Sequence, residues 1–217
     1  MTDKYLLYGV EGSYYAAKVR CYLIKKNIPY QEILADRHAF NEVILPRVGY
    51  PIVPIVITPQ NEVLQDTTVI IDTLEKRFPD NPLIPTNVAT RFISQLIELY
   101  ADEWFKIPAL HYRWHYDSEF AIRMMGENND PAAPLEKQRQ IGQKIASGFS
   151  SWPSHLGVDA HTQHAVEQLF ASYLRQLNEL LADNRYLLGD EPSLGDCALM
   201  GPLYAHIYRD PYSGAMI

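Results

Sequence analysis

Three closely spaced prolines, Pro79, Pro82 and Pro85, divide this 217-residue chain into stretches whose apolar residues recur with different periods. Proline fixes φ and has no N–H, so the segment from Phe78 to Asn87 reads as a stiff linker without helical or strand character. Before it, short β-rich runs alternate with helical patterns. After it, Phe92, Leu96 and Leu99, with Ile93, Ile97 and Tyr100, repeat at helical spacing, and strand signals disappear. The division predicts an α/β unit over residues 1–80 and an all-helical unit over 87–217.

Within the first stretch, Lys4–Tyr8 has the aromatic and aliphatic richness of a short buried strand, and Gly9–Gly12 breaks it. From Ser13, the residues Ala16, Val19 and Leu23 leave one apolar stripe on a helix that Asn27 and Pro29 stop. Tyr30–Leu34 is a candidate second strand. Ile52–Thr58 is strongly β-branched, Pro59-Gln60-Asn61 is a turn, and Glu62–Gln65 returns as a hairpin partner. Ile70, Leu74 and Phe78 then mark a second helix. The order β-α-β, an irregular stretch, then β-β-α is that of a thioredoxin-like fold.

In the second stretch, Pro108 is expected to kink a long first helix. Gly126–Pro134 and Ser150–Ala160 read as loops around a short helix at Leu135–Ser147, and Leu169, Tyr173, Leu177 and Leu180 outline an amphipathic helix ending near Asn184. Hydrophobic residues make up 47 % of the chain, enough for a sizeable core. A formal charge of −7 without a basic cluster excludes a nucleic-acid backbone or an anionic membrane as partner. Cys21 and Cys197 stand in no metal or redox spacing, which fits a reducing, cytoplasmic setting. The N-terminus lacks a signal-peptide pattern and no run approaches a membrane span.

Three segments carry candidate chemistry. Ile52-Val53-Pro54-Ile55 places a proline inside a β-rich run. Either it is a trans proline on an edge strand, or a cis proline beside which Val53 offers its N–H and C=O to an extended peptide ligand. Gln65-Asp66-Thr67-Thr68 precedes the second helix, where a side-chain oxygen caps free N–H groups and the helix terminus also attracts a carboxylate. Asp66 is suited to an ammonium, so an amino-acid head group fits there. Gly12-Ser13-Tyr14-Tyr15-Ala16 opens the first helix, where a hydroxyl either caps or donates to an anion.

The order and spacing of Ser13-Tyr-Tyr-Ala-Ala-Lys-Val-Arg20, Val53-Pro54, Gln65-Asp66-Thr67 and Ile70-Ile71-Asp72-Thr73-Leu74-Glu75 resemble the glutathione transferase family. So does Tyr186-Leu-Leu-Gly-Asp-Glu-Pro-Ser-Leu-Gly-Asp196, in which Ser193 and Asp196 form a capping box before a core helix. The resemblance spans residues 5–80 and 165–210. It implies a thioredoxin-like N-terminal domain, a helical C-terminal domain, glutathione as co-substrate and a hydrophobic electrophile as its acceptor.

By this resemblance Ser13 activates the thiol, with Tyr8 as the alternative, the place that tyrosine-type members use. Val53 and Pro54 meet the cysteinyl backbone of glutathione, and Gln65, Asp66 and Thr67 meet its γ-glutamyl end. Family members often hold the glycine carboxylate with a lysine or glutamine two residues before the cis proline. Ile52 cannot do so, which leaves His38 or Arg47. Aromatic side chains, Tyr14, Tyr100 and Trp104, are expected to line a co-substrate pocket. Serine at position 13 cannot form a mixed disulfide, so a thiol–disulfide reductase is disfavoured. No metal is expected: His111 and His115 stand i, i+4 but have no third ligand.

Residues 117–160 lie outside the resemblance, and Ile217 ends the chain sooner than family members commonly end, which suggests a truncated helical domain. The apolar load of the first long helix points to a homodimer. Against the transferase reading stands a non-catalytic ligand-binding or structural member with the same fold. A glutathione-dependent lyase or isomerase would carry much the same residues.

Overall fold

The computed structural model describes residues 4–217. Strand β1 (Tyr5–Gly9) is followed by helix α1 (Tyr14–Lys25) and strand β2 (Tyr30–Leu34), which pairs parallel to β1 with Tyr5 opposite Tyr30. Helix α2 (Arg37–Ala39), a π-helical turn (Phe40–Ile44) and helix α3 (Leu45–Val48) lead into the hairpin of β3 (Ile55–Ile57) and β4 (Val63–Gln65). Helix α4 (Thr67–Arg77) follows. The strand order is β2-β1-β3-β4, with β3 antiparallel to both of its neighbours. This is the expected thioredoxin-like topology.

Side chains alternate across the sheet, so each strand feeds two apolar layers. Leu7, Val56 and Leu64 pack with Val19, Tyr22 and Leu23 of α1 and Ile70 and Leu74 of α4. Tyr8, Ile55 and Ile57 face Ala39 and Ile44 on the other side. The β-branched run is shorter as a strand than its composition predicts: pairing starts at Ile55, because Pro54 has no N–H to give the ladder.

The rest of the described chain is helical: α5 (Val88–Leu99), a π-helical turn (Tyr100–Trp104), α6 (Lys106–His115), α7 (Ser118–Asn129), α8 (Leu135–Ala146), α9 (Trp152–His155), α10 (Gln163–Asp183), α11 (Leu194–Leu199), a π-helical stretch (Met200–Tyr208) and α12 (Pro211–Gly214). Phe105, Tyr112, Phe170, Leu199 and Ile207 form its core. The first long helix is interrupted at Tyr100–Trp104 and not at Pro108, which sits in the first turn of α6, where its missing N–H costs no hydrogen bond. Two expected loops also change. Residues 126–129 belong to α7, and α9 lies inside Ser150–Ala160.

The two parts share a packed seam. Helix α1 lies against α11 and the π-helical stretch after it, and Leu194 and Cys197 join the core beneath the sheet. The Leu194 N–H donates to the Leu83 carbonyl at 2.8 Å, pinning the proline-rich linker. The expected capping box opens α11, with Asp196 accepting the Ser193 N–H at 2.8 Å. Among the described residues, no helix is long and apolar enough to cross a membrane.

Candidate functional site

Strand register brings the three candidate segments to one edge of the sheet. Tyr8 stands opposite Ile55 and Ile55 opposite Gln65, so β1 ends, β3 begins and β4 ends side by side. Adjacent strands lie about 4.8 Å apart, which makes this edge roughly 10 Å across from β1 to β4. Ser13 leaves one side of it, Val53-Pro54 enters the middle and Asp66-Thr67 leaves the other.

Ser13 is the N-cap of α1, with φ −80° and ψ 124°, and its Oγ accepts the Ala16 N–H at 3.3 Å. That bond uses a lone pair only, so the hydroxyl hydrogen remains available to an anion in front of the helix. The N–H groups of Tyr14 and Tyr15 lie in the first turn, where a helix offers no acceptor. Tyr8, the alternative activator, is buried in the apolar layer with Ile44, Ile55 and Ile57.

The Val53–Pro54 peptide is cis. Val53 is half-buried and lies before the ladder begins, and its backbone groups take no partner among the described residues. Beyond the hairpin, Asp66 caps α4, its Oδ1 accepting the Thr68 N–H at 2.9 Å and the Val69 N–H at 3.3 Å. Its backbone has φ 73° and ψ 130°, a region that costs a non-glycine residue about 1–3 kcal/mol. Strain of that size is tolerated where a fixed side-chain direction is needed. Thr67 is buried beside it. Gln65 points toward a residue that the sequence did not single out, since Tyr50 donates to its Oε1 at 2.9 Å. Tyr50 precedes β3 and is 48 % exposed, an aromatic ring without a place in either layer.

Other candidates are dispersed. Arg47 donates to Asn61 Oδ1 at 2.8 Å, in the hairpin turn at the far end of β3 from Val53. His38 lines a polar cleft of about 270 Å³ between α2 and the α7–α8 connection, together with Asp36, Glu42 and Asp130. The three aromatic side chains expected to line a co-substrate pocket have different surroundings. Tyr14 is buried and its hydroxyl donates to the Ala101 carbonyl. Burial, reinforced by Asp102, pushes its pKa well above the ordinary tyrosine value. Tyr100 and Trp104 line a separate apolar cavity of about 110 Å³ with Phe170 and Tyr173 of α10, to which no residue before Tyr100 contributes. Helix α7 packs against the loop before Ser13: a Cβ on Gly12 would lie 2.6 Å from Met124 Sδ.

His111 is buried and its Nε2 lies 2.7 Å from Glu167 Oε1, a packing role. Among the described residues, no group of three or more His, Cys, Asp or Glu could hold a metal ion.

Residues 7–82 match the N-terminal domain of glutathione S-transferase and residues 159–212 match its C-terminal domain. A stringent starvation protein A homolog from Pasteurella multocida is 26 % identical over 178 residues, 82 % of this chain and 76 % of that protein. The beta-etherase LigF from Sphingobium sp. strain SYK-6 superposes with a TM-score of 0.68 at 17 % identity, covering 99 % of this chain and 88 % of that one. A glutathione S-transferase from Rhodospirillum rubrum gives 0.62 at 20 %, covering 95 % and 80 %.

Proposed function

The chain belongs to the glutathione S-transferase family, and from that premise we propose that it binds glutathione along the β1–β3–β4 edge and transfers its thiolate to a hydrophobic electrophile. The observation that carries the reading is the convergence at one edge of a capping serine with a free hydroxyl hydrogen, an unpaired Val53 backbone and the strained Asp66 cap. Val53 and Pro54 face the cysteinyl residue. Gln65, Asp66 and Thr67 take the γ-glutamyl end, its ammonium on the Asp66 carboxylate and its carboxylate at the α4 terminus.

Magnitudes favour Ser13 as the thiol activator. A free thiol has a pKa of about 8.5, and lowering it by about two units requires about 2.7 kcal/mol. A helix terminus contributes up to ~2 kcal/mol and a hydrogen bond to a charge ~1.5–3 kcal/mol. Together they suffice, whereas the dipole alone falls short. We place the electrophile beneath α7, at Met124. Two free cysteines fit a reducing, cytoplasmic setting.

Titration with glutathione, followed by a conjugation assay with a broad aromatic electrophile, tests the reading. Saturable binding with turnover is expected. One observation favours a second reading, a glutathione-binding protein without transferase activity: Arg47 is tied to Asn61, and only His38 of the proposed pair is left for the glycine carboxylate. Binding without turnover selects that reading, and the absence of both rejects the two together. In the same titration Asp66→Ala is expected to weaken glutathione about tenfold or more, since a charge-assisted contact is worth ~1.5–3 kcal/mol. Its rate at saturation should change far less.

The partner we propose for α5 is a second copy of the chain. Val88, Phe92, Leu96 and Leu99 form one helical stripe and are between 47 and 78 % exposed. Light scattering at micromolar concentration should give a dimer mass, and Leu96→Glu a monomer. A monomeric wild type would remove this proposal.

A further inference from the structure

Arg113, on α6, is 3 % exposed, and no step proposed above uses it. A buried guanidinium is costly unless its donors are all taken. Here they are. Nε and Nη2 donate to the two oxygens of Asp210 at 2.6 and 2.7 Å, and Nη2 also to the Ala205 carbonyl at 2.9 Å. Nη1 lies 2.8 Å from His206 Nε2 and 3.2 Å from the Gly12 carbonyl. Burial, with the neighbouring guanidinium second, holds the His206 pKa well below the ordinary imidazole value, so the ring is neutral and Nε2 accepts.

Asp210, His206 and Ala205 would suffice to fix the C-terminal helices on α6. The contact to Gly12 does something else, because it crosses to the loop immediately before Ser13. The C=O of the Gly12–Ser13 peptide is held by Arg113, and the N–H of the same peptide donates to the Val10 carbonyl at 3.0 Å. Both edges of one planar unit are therefore fixed. That plane sets where φ of Ser13 begins, and so the direction in which its Oγ points. Glu11, in the same loop, pairs with Arg209.

We propose that Arg113 is a positioning residue for thiol activation, acting through the Gly12–Ser13 peptide to hold the Ser13 hydroxyl on the glutathione sulfur. The proposal rests on the transferase reading with Ser13 as activator. A small misorientation of a catalytic group costs rate more than it costs binding. Lysine has one ammonium and cannot hold Asp210 and Gly12 together in the planar geometry of arginine.

The test is the pH–rate profile and the KM–kcat split of Arg113→Lys. Turnover is expected to fall about tenfold, with KM for glutathione within about threefold of wild type and the kinetic pKa of the bound thiol moved up toward 8.5. Ser94→Ala is the structural control. Its hydroxyl accepts the buried Gly195 N–H at 3.2 Å, a bond between α5 and α11 that does not involve the Gly12–Ser13 peptide, so the variant should lose stability and keep the wild-type profile. Where Arg113→Lys does not fold, Asp210→Asn replaces it, because it removes one of the two oxygens that hold the guanidinium in its plane and should move the profile the same way. A folded Arg113→Lys, or Asp210→Asn in its place, with a wild-type profile overturns the positioning role alone, provided Ser13→Ala shifts the profile. A wild type that does not turn over, or a Ser13→Ala profile identical to it, overturns the underlying reading and this proposal with it.

Discussion

Ser13→Ala is expected to lower turnover ten- to a hundredfold and to leave glutathione affinity nearly unchanged. The range follows from losing one hydrogen bond to a charged group, ~1.5–3 kcal/mol, at about 1.4 kcal/mol per tenfold in rate. Affinity is expected to persist because the Val53 backbone lies one strand from β1 and the Asp66–Thr67 cap two strands away, and neither depends on the Ser13 hydroxyl. The helix also survives, since losing an N-cap costs only about 1 kcal/mol. The bound-thiol pKa read from the pH–rate profile should rise in the variant. If Ser13→Ala keeps full activity and Tyr8→Phe abolishes it, Tyr8 is the activator and the assignment is wrong.

A second substitution has its largest effect on the fold. Gly126→Ala in α7 is expected to destabilise the protein by at least about 3 kcal/mol, with a fall in Tm of roughly 6–12 °C. On an exposed helix the same change would stabilise by about 0.5–1 kcal/mol. Packing reverses the sign. A Cβ at Gly126 would lie 1.9 Å from the Gln138 carbonyl oxygen, and one at Gly142 would lie 2.0 Å from the Ile122 carbonyl oxygen. Both obstacles are backbone, which cannot rotate away, so α7 and α8 would have to separate. Because Met124 of α7 rests against Gly12, electrophile discrimination should loosen as well. Thermal unfolding checks the stability claim, and an unchanged or higher Tm would refute the reciprocal glycine crossing.

The same glycine shows where the sequence becomes hard to read. In Gly126-Glu-Asn-Asn-Asp-Pro-Ala-Ala-Pro134 six of the nine residues are Gly, Asn, Asp or Pro, the turn formers, and a loop is the natural expectation. The structure continues α7 to Asn129, because Gly126 is selected by the closeness of another helix and not by its own dihedrals. Strands and their order were legible for the opposite reason. Leu7 against Tyr8 and Val56 against Ile55 separate the two apolar layers by the period-two pattern that the chain itself displays. Ser13, Val53-Pro54 and Asp66 were legible because each sits at the terminus of an element, and register carries such termini to a common edge. Arg113 lies 101 residues from Gly12, and no local pattern announces that contact. The surroundings of Tyr14 were equally hidden: Ala101 and Gly201, far along the chain, pack against it.

Calorimetric titration with reduced glutathione at pH 7, in two buffers of different ionisation enthalpy, counts the protons released as well as the binding. A free thiol with a pKa of about 8.5 is ionised to roughly 3 % at pH 7, and one lowered by about two units to roughly 75 %. Saturable binding with release of about 0.7 proton is therefore expected, falling toward zero in Ser13→Ala. Binding without proton release would show that the site holds glutathione as an ordinary thiol, and the absence of saturable heat would contradict the glutathione site itself.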